Sequence, residues 1–403
     1  WTREAHALKG FLARNQVPYR FLDLENGERT RRLLEDAGLT DAQVPVVLFQ
    51  DGSALPHATL QGVAERLGLK TRADAPFYDL AIVGAGPAGL AAAVYGASEG
   101  LRTVLIERAA PGGQAGESSR IENYLGFPAG ISGSELSRRA TAQVRRFGVD
   151  FLCPQEVTSV RVDGPGRKLL LSDGSEILCH ALLIATGVSY RRLEAPGLAE
   201  LTGAGIYYGA AATEAASLQG QDAFVVGGGN SAGQAALYFA RFARHVTIVI
   251  RGDGLEATMS QYLIDQIADT SNVSIRSRTL VAEAVGEKHL ERLVLQDRRT
   301  GTSETVPAAG LFVFIGALPH TEWLGGLLRR DAKGFVLTGA ELKDDAGDLR
   351  HWPLDREPYA LETSVPGIFA AGDVRSGSIK RVASGVGEGS VSVSSIHRYL
   401  ATL

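Results

Sequence analysis

Apolar side chains recur at helical spacing over residues 4–15, 28–37 and 60–67, whereas residues 19–24 and 44–50 read as short strands. The second of these strands closes in the turn Asp51-Gly52. Residues 70–76 read as a linker, and beyond residue 78 the pattern changes. Runs 79–83 and 223–226 are continuously apolar, and each enters a glycine cluster followed by a helical pattern at 90–98 and 233–243. Second apolar strands follow at 103–106 and 245–250. Short, unbroken apolar runs bounded by glycine belong to strands buried on both faces. Strand, turn, helix and strand in that order, twice over, predicts an α/β protein with parallel sheets between helices.

Composition narrows the classes. The 403 residues are too many for one ordinary core, and 45 % hydrophobic with 21 % charged is the balance of a folded globular protein. Forty-eight glycines are well above the usual level of roughly 7 % and imply many tight turns and close backbone approaches. A net charge of -4 leaves no electrostatic footprint for nucleic acid. Residues 80–97 are nearly free of polar groups, but Gly84, Gly86, Pro87, Gly89 and Gly96 interrupt them, so no membrane span is expected. Only two cysteines occur, Cys153 and Cys179, which excludes a disulfide framework and a cysteine zinc site and points to a reducing, cytoplasmic setting. The chain begins at Trp1 without Met, so its true N-terminus is expected to have been cleaved or to lie outside this stretch, and no signal peptide is apparent.

The first glycine cluster is Gly84-Ala85-Gly86-Pro87-Ala88-Gly89. Gly84 permits the tight turn, Gly86 lets backbone approach a pyrophosphate, and Gly89 allows close helix–strand packing. The helix that follows presents free N–H groups and the positive end of its dipole to phosphate. Glu107, 23 residues after Gly84 at the end of the next strand, is placed to accept hydrogen bonds from a ribose 2′-OH. The second cluster, Gly227-Gly228-Gly229-Asn230-Ser231-Ala232, is the G-x-G-x-x-A variant. Its following strand ends in Arg251 rather than an acid, which suits a 2′-phosphate and favours NADPH, with NADH kept open.

Residues 78–403 resemble the low-molecular-weight thioredoxin reductase family of flavoproteins. The matching pieces are the first glycine turn, Gly112-Gly113-Gln114, the I-E-N-Y at 121–124, and Ala185-Thr186-Gly187. Near the C-terminus follow G-I-F-A-A-G-D at 367–373 and Lys380-Arg381-Val382-Ala383, which opens a helix. The resemblance implies two Rossmann-like dinucleotide-binding domains with three-layer parallel sheets, binding FAD and a nicotinamide. It assigns FAD contacts to Gly84, Gly86, Pro87, Ala88, Gly89, Glu107, Arg108, Gly113, Gln114, Asn123, Val157, Ala185, Thr186, Gly187, Gly372, Asp373, Arg381, Val382 and Ala383. Nicotinamide contacts fall to Gly227, Gly229, Asn230, Ser231, Ala232, Arg251, Ile315 and Gly316, the strand and turn at 312–316 returning the chain to the FAD domain. Of the family's H-R-R-x-x-x-R phosphate readers, Arg251 is the one arginine left, and Glu256 stands near the end of that pattern.

The family's Cys-x-x-Cys is missing. Its positions align with Gly209 and Ala212, neither of which can attack a disulfide. Cys153 and Cys179 sit in apolar strand-like contexts and read as structural. Hydride from NAD(P)H to the flavin needs no further catalytic residue, so the expected activity is an NAD(P)H:acceptor oxidoreductase whose flavin hands electrons directly to an acceptor. Two alternatives stand beside it: a ferredoxin- or flavodoxin-NADP reductase-like enzyme, whose usual C-terminal flavin cover is not matched after the helix at 390–400, and a flavin-based redox sensor or docking protein. The resemblance also implies a homodimer, a rotation between domains and, for a carrier substrate, a protein electron acceptor.

The αβαβ order of the first 75 residues, with Val44-Pro45 opening a strand, resembles a thioredoxin- or glutaredoxin-like domain lacking its first strand. In that family this proline is cis and lies beside the redox cysteines; here no cysteine precedes residue 153, so a degenerate docking or packing domain is expected. The expected organisation is 1–75 for this domain, 76–191 with 322–403 for FAD, and 192–321 for NAD(P)H. A charged segment at 342–358 containing Trp352 is expected to be a solvent-exposed insertion.

Overall fold

A computed structural model describes every residue except 1–2, 16, 23, 25–27, 41–43, 119–120, 122, 209–217, 345 and 350–351. The chain forms two compact units. One comprises Trp1–Arg120, Tyr124–Gly187 and Pro319–Leu403; the other comprises Ile121–Asn123 and Val188–Leu318. The chain thus leaves the first unit and returns to it, as an inserted domain requires. No helix among the described residues is long and apolar enough to cross a membrane.

The first unit is built on a seven-stranded sheet. Phe77–Val83 lies at its centre, parallel to Thr103–Ile106 on one side and Glu176–Ile184 on the other. Asp150–Leu152 extends the parallel region, Ile368–Ala370 adds to Glu176–Ile184, and the antiparallel pair Gly166–Leu171 and Val157–Asp163 completes it. Alternation along the central strand feeds two cores. Ala81 and Val83 pack with Val104, Leu169 and Val336, while Leu80 and Ile82 pack with Leu90, Val144 and Val393. Helices Pro87–Ser98 and Val382–Leu400 cover the second face, where Gly389 lets the two cross closely: a Cβ there would lie 2.2 Å from Ala88 O. The C-terminal helix opens at Val382, within the segment 380–383 expected to open a helix, and runs on through 390–400 as expected.

The N-terminal residues belong to this unit. Helices Arg3–Arg14 and Leu60–Arg66 form where expected, Thr59 capping the second by accepting the Gly62 amide at 3.1 Å. They share a small core of Leu8, Phe11, Leu12, Ala58, Val63 and Ala64. Helix Glu28–Asp36 also forms as its periodicity predicts. The strand expected at 44–50 shrinks to Val47–Leu48, paired antiparallel with Ala54–Leu55. Pro45 carries no N–H and cannot donate to extend that ladder. No strand forms over the described part of 19–24, where Tyr19, Phe21 and Leu22 stay partly exposed: a two-residue hairpin offers little edge to pair with.

Residues 70–76, read as a linker, are a strap. Lys70 O accepts the Cys153 amide at 2.9 Å, Thr71 O accepts Gln155 Nε2 at 3.2 Å, and the Asp74 amide donates to Asp150 Oδ2 at 2.8 Å. Buried Asp150 also takes Lys70 Nζ at 2.6 Å and a hydrogen bond from Tyr78 Oη, and a buried carboxylate needs such partners. The charged segment at 342–358 is likewise tied down at its C-terminal end. Arg356 donates to both oxygens of Glu362, at 2.7 and 2.9 Å, with its guanidinium over the rings of Tyr359 and Trp352. Part of the segment is exposed as expected, but its end is pinned to the core by charge and stacking.

In the second unit, five parallel strands run in the order Ile206–Tyr208, Gly310–Val313, Asp222–Val226, His245–Val249, Val273–Arg276. Helices Asn230–Phe239 and Gln261–Asp269 pack on one side through Phe239, Leu263, Ile267 and Phe312. A meander of Thr279–Val285, Arg292–Asp297 and Ser303–Pro307 contributes Leu293 and Leu295 to a second core with Phe224 and Leu311.

Candidate functional site

Four segments distant in sequence converge on the first glycine turn. Gly84 adopts φ +104, and a Cβ there would lie 2.4 Å from Ala185 O; one on Gly89 would lie 1.8 Å from Gly84 O. Both glycines are therefore required by contact. A Cβ on Gly86 would meet nothing within 4 Å, so the backbone borders open space at the point where a pyrophosphate is expected. Gly86 caps the helix and Pro87 fills its first turn, where the missing N–H costs nothing. Gly113 packs on Gly86, its notional Cβ 3.1 Å from Gly86 Cα, and the Gly112 amide donates to Ala85 O at 2.7 Å. Gly372, at φ +76, reaches Ala88.

Glu107 is 9 % exposed and serves the turn directly. Its Oε2 accepts the Ala85 amide at 2.9 Å, and its Oε1 accepts the amides of Ala109 at 2.9 Å and Ala110 at 3.3 Å. Each carboxylate oxygen can accept two hydrogen bonds, so one acceptor site is left for a ribose hydroxyl. Arg108, exposed, donates a hydrogen bond to His320 Nε2 at 3.1 Å. His320 in turn receives Thr186 Oγ1 on its carbonyl at 2.9 Å and donates its amide to Gly187 O at 3.1 Å. Burial and the Arg108 charge hold the His320 ring below the usual histidine pKa, although Glu322 and Glu156 pull it back upward.

At the other side of the turn, Glu388 on the C-terminal helix accepts the Gly372 amide at 2.7 Å and Arg375 Nη2 at 2.9 Å. Asp373 beside it is half-buried, and no hydrogen bond to its carboxylate is made among the described residues. Desolvation pushes its pKa up, opposed by Lys380 and assisted by Glu388. Arg381 caps the C-terminal helix through its backbone, with its side chain exposed; Val382 and Ala383 form the first turn. Gln114 is exposed on a short helix, and Val157 is buried in the core of the sheet with its side chain turned inward. Asn123 groups with the second unit, outside this cluster. His320, Arg375 and Glu388 were not legible from sequence; only the Gly385-x-x-x-Gly389 spacing signals the close helix crossing that carries Glu388.

The chemistry of this cradle fits FAD: an open backbone at Gly86, a helix N-terminus, acceptor capacity on Glu107 and an unsatisfied carboxylate on Asp373.

In the second unit Gly227, at φ +142, passes so close to Phe314 O that a Cβ would lie 2.4 Å away. Ile315 and Gly316 therefore follow directly on a strand end that borders this turn. Gly229 caps the helix, and a Cβ there would find its nearest neighbour, Thr258 O, 3.9 Å away. Ala232 is fully buried against Gly227, which is why alanine suffices as the third small residue. Asn230 is committed elsewhere: its Oδ1 accepts the Ser260 amide at 2.8 Å and its Nδ2 donates to Ser260 Oγ at 2.9 Å. Ser231 and Arg251 are exposed. Gly209 and Ala212 lie outside the described residues. Both cysteines are buried and free; burial pushes the Cys179 thiol up to about 12 and the Cys153 thiol up further.

A family model described as Pyridine nucleotide-disulphide oxidoreductase matches residues 78–389. The thioredoxin reductase of Bacillus subtilis (strain 168) is 34 % identical over 327 residues, covering 81 % of this chain and 96 % of that protein. Among solved structures, a thioredoxin reductase from Streptococcus pyogenes MGAS5005 superposes with a TM-score of 0.71 at 32 % identity, covering 81 % of this chain and 99 % of that one. One from Giardia duodenalis gives 0.72 at 27 % identity, covering 81 % and 100 %. The first 77 residues lie outside the family match.

Proposed function

The chain belongs to the pyridine nucleotide-disulphide oxidoreductase family, and from that premise we propose that it is an FAD-dependent NAD(P)H:acceptor oxidoreductase working without an internal dithiol. The observation that carries the reading is the convergence of four segments on the Gly84–Gly89 turn in a chain whose two cysteines are both buried. FAD, once bound, supplies acceptance of hydride from a reduced nicotinamide and onward release of electrons. The chain's own part is to bind and orient. Gly86 and the helix N-terminus take the pyrophosphate, Glu107 the adenosine ribose, and Asp373 a hydroxyl of the ribityl chain. Gly227, Gly229 and the helix they open take the nicotinamide dinucleotide, with Arg251 favouring NADPH over NADH.

With thiols at 153 and 179 far from ionising at neutral pH, and no Cys-x-x-Cys anywhere in the sequence, a disulfide relay through this chain has no nucleophile. A bound flavin would then have to hand its electrons to an acceptor directly, and a protein carrier is the class proposed. A cytoplasmic homodimer, with rotation between the two dinucleotide units, completes the reading. The N-terminal segment is proposed as a degenerate thioredoxin-like docking domain, supported by its helix order and its lack of cysteine. Incubation with thioredoxin and NADPH tests the missing relay. Free thiols at the background level of an FAD-free control, alongside reduction of an added artificial electron acceptor, are expected. Catalytic thiol release would overturn the dithiol-free mechanism.

A further inference from the structure

The 2′-phosphate site of the second unit is thin in sequence, since Arg251 is the one family arginine retained. The fold supplies a second cation from another element. The turn between strands Arg292–Asp297 and Ser303–Pro307 comes back to the end of strand His245–Val249, where a dinucleotide's ribose is read. One backbone bond fixes it there, the Arg298 amide donating to Arg278 O at 2.7 Å, and that residue is itself tied to the strand end, the Arg278 and Thr279 amides donating to Gly252 O at 2.8 Å and Ile250 O at 2.9 Å. The Arg298 guanidinium then donates through Nη1 to the carbonyl of Arg251 itself, at 3.0 Å.

The neighbouring arginines are committed to carboxylates. Arg278 pairs with Asp253, and Arg276 pairs with Glu304 at 2.6 Å. Glu256 folds its carboxylate against Gly254. Neither Arg251 nor Arg298 makes an ion pair among the described residues, and both are exposed. Arg298 also retains four guanidinium N–H donors beyond the one used on the Arg251 carbonyl.

We propose that Arg298 is a specificity-determining residue that, with Arg251, clamps the 2′-phosphate of NADPH, standing in from the meander for arginines that the strand-end loop has lost. The inference rests on the nicotinamide reading of the second unit. A planar donor fork anchored on one carbonyl presents its remaining N–H groups to a phosphate in fixed orientation, whereas an unanchored surface lysine would give only a mobile charge.

Calorimetric binding of 2′,5′-ADP and 5′-AMP to the full-length, FAD-loaded protein tests this without turnover. The wild type is expected to bind 2′,5′-ADP more tightly, with strong salt dependence. Arg298→Gln keeps a donor for the Arg251 carbonyl but removes the charge. It should weaken 2′,5′-ADP by about tenfold while leaving 5′-AMP unchanged. Arg299→Ala, on the same exposed turn, should change neither ligand. Equal losses for both ligands in Arg298→Gln, or no loss for either, would overturn the proposal while leaving the nicotinamide site intact. Equal wild-type affinity for the two ligands would overturn it as well, by assigning the site to NADH. Failure of the wild type to bind both ligands would remove the nicotinamide reading itself, and the proposal with it.

Discussion

Glu107 shows how one side chain fixes a turn before any ligand enters it. Its carboxylate holds the amides of Ala85, Ala109 and Ala110 from a buried position. Glu107→Ala strands those donors, and each buried unpaired amide costs about 1–3 kcal/mol, so a loss of at least about 2 kcal/mol in urea unfolding is expected. FAD should also be lost on gel filtration. His320 gives a pH signature. Its folded pKa lies below its ordinary 6.5, so the unfolded chain binds more protons in the interval between the two values. The contribution of the neutral ring is therefore complete above the ordinary value and is lost as pH falls toward the lowered one. Protonation sets a cation against Arg108, with Glu322 and Glu156 the nearest compensating charges. Flavin release should rise on acidification from about pH 7 to 5, and His320→Gln should flatten that rise. At this scale the glycines and Glu107 were legible because each obeys a spacing rule. His320, Glu388 and Arg298 were not: each acts across a gap in sequence that no local pattern encodes.

Among the elements, the strands and helices flanking both glycine turns were the most legible, since unbroken apolar runs and turn glycines leave little choice. The readings that failed concerned segments whose structure comes from tertiary partners. The strap at 70–76 is shaped by the buried carboxylate of Asp150, and the strand expected at 19–24 finds no edge to join. The charged segment at 342–358 is exposed in part as expected, and its end is held by the ion pair of Arg356 with Glu362, which is 0 % exposed. Arg356→Ala leaves that carboxylate with only the amides of Tyr359 and Gly367 and should cost about 3 kcal/mol, with faster proteolytic cleavage in the insertion. Pairing it with Glu362→Gln should recover much of the loss, because the desolvated charge is then gone.

For the whole molecule, the family resemblance implies an inserted dinucleotide unit; the chain leaves one compact unit after Gly187 and returns to it at Pro319. The family match covers residues 78–389, and the first 77 residues lie outside it. The chain combines two tight glycine turns with two cysteines that are both buried. The central claim is that hydride enters through the second turn and reaches a flavin held by the first. Anaerobic titration of the purified flavoprotein with NADPH, followed by visible absorbance, tests it most directly. Bleaching of the flavin bands by about one equivalent of NADPH per flavin, a two-electron end point with no further uptake by a dithiol, is the predicted result. A flavin that stays oxidised with both NADPH and NADH, or that consumes two equivalents, would contradict the account.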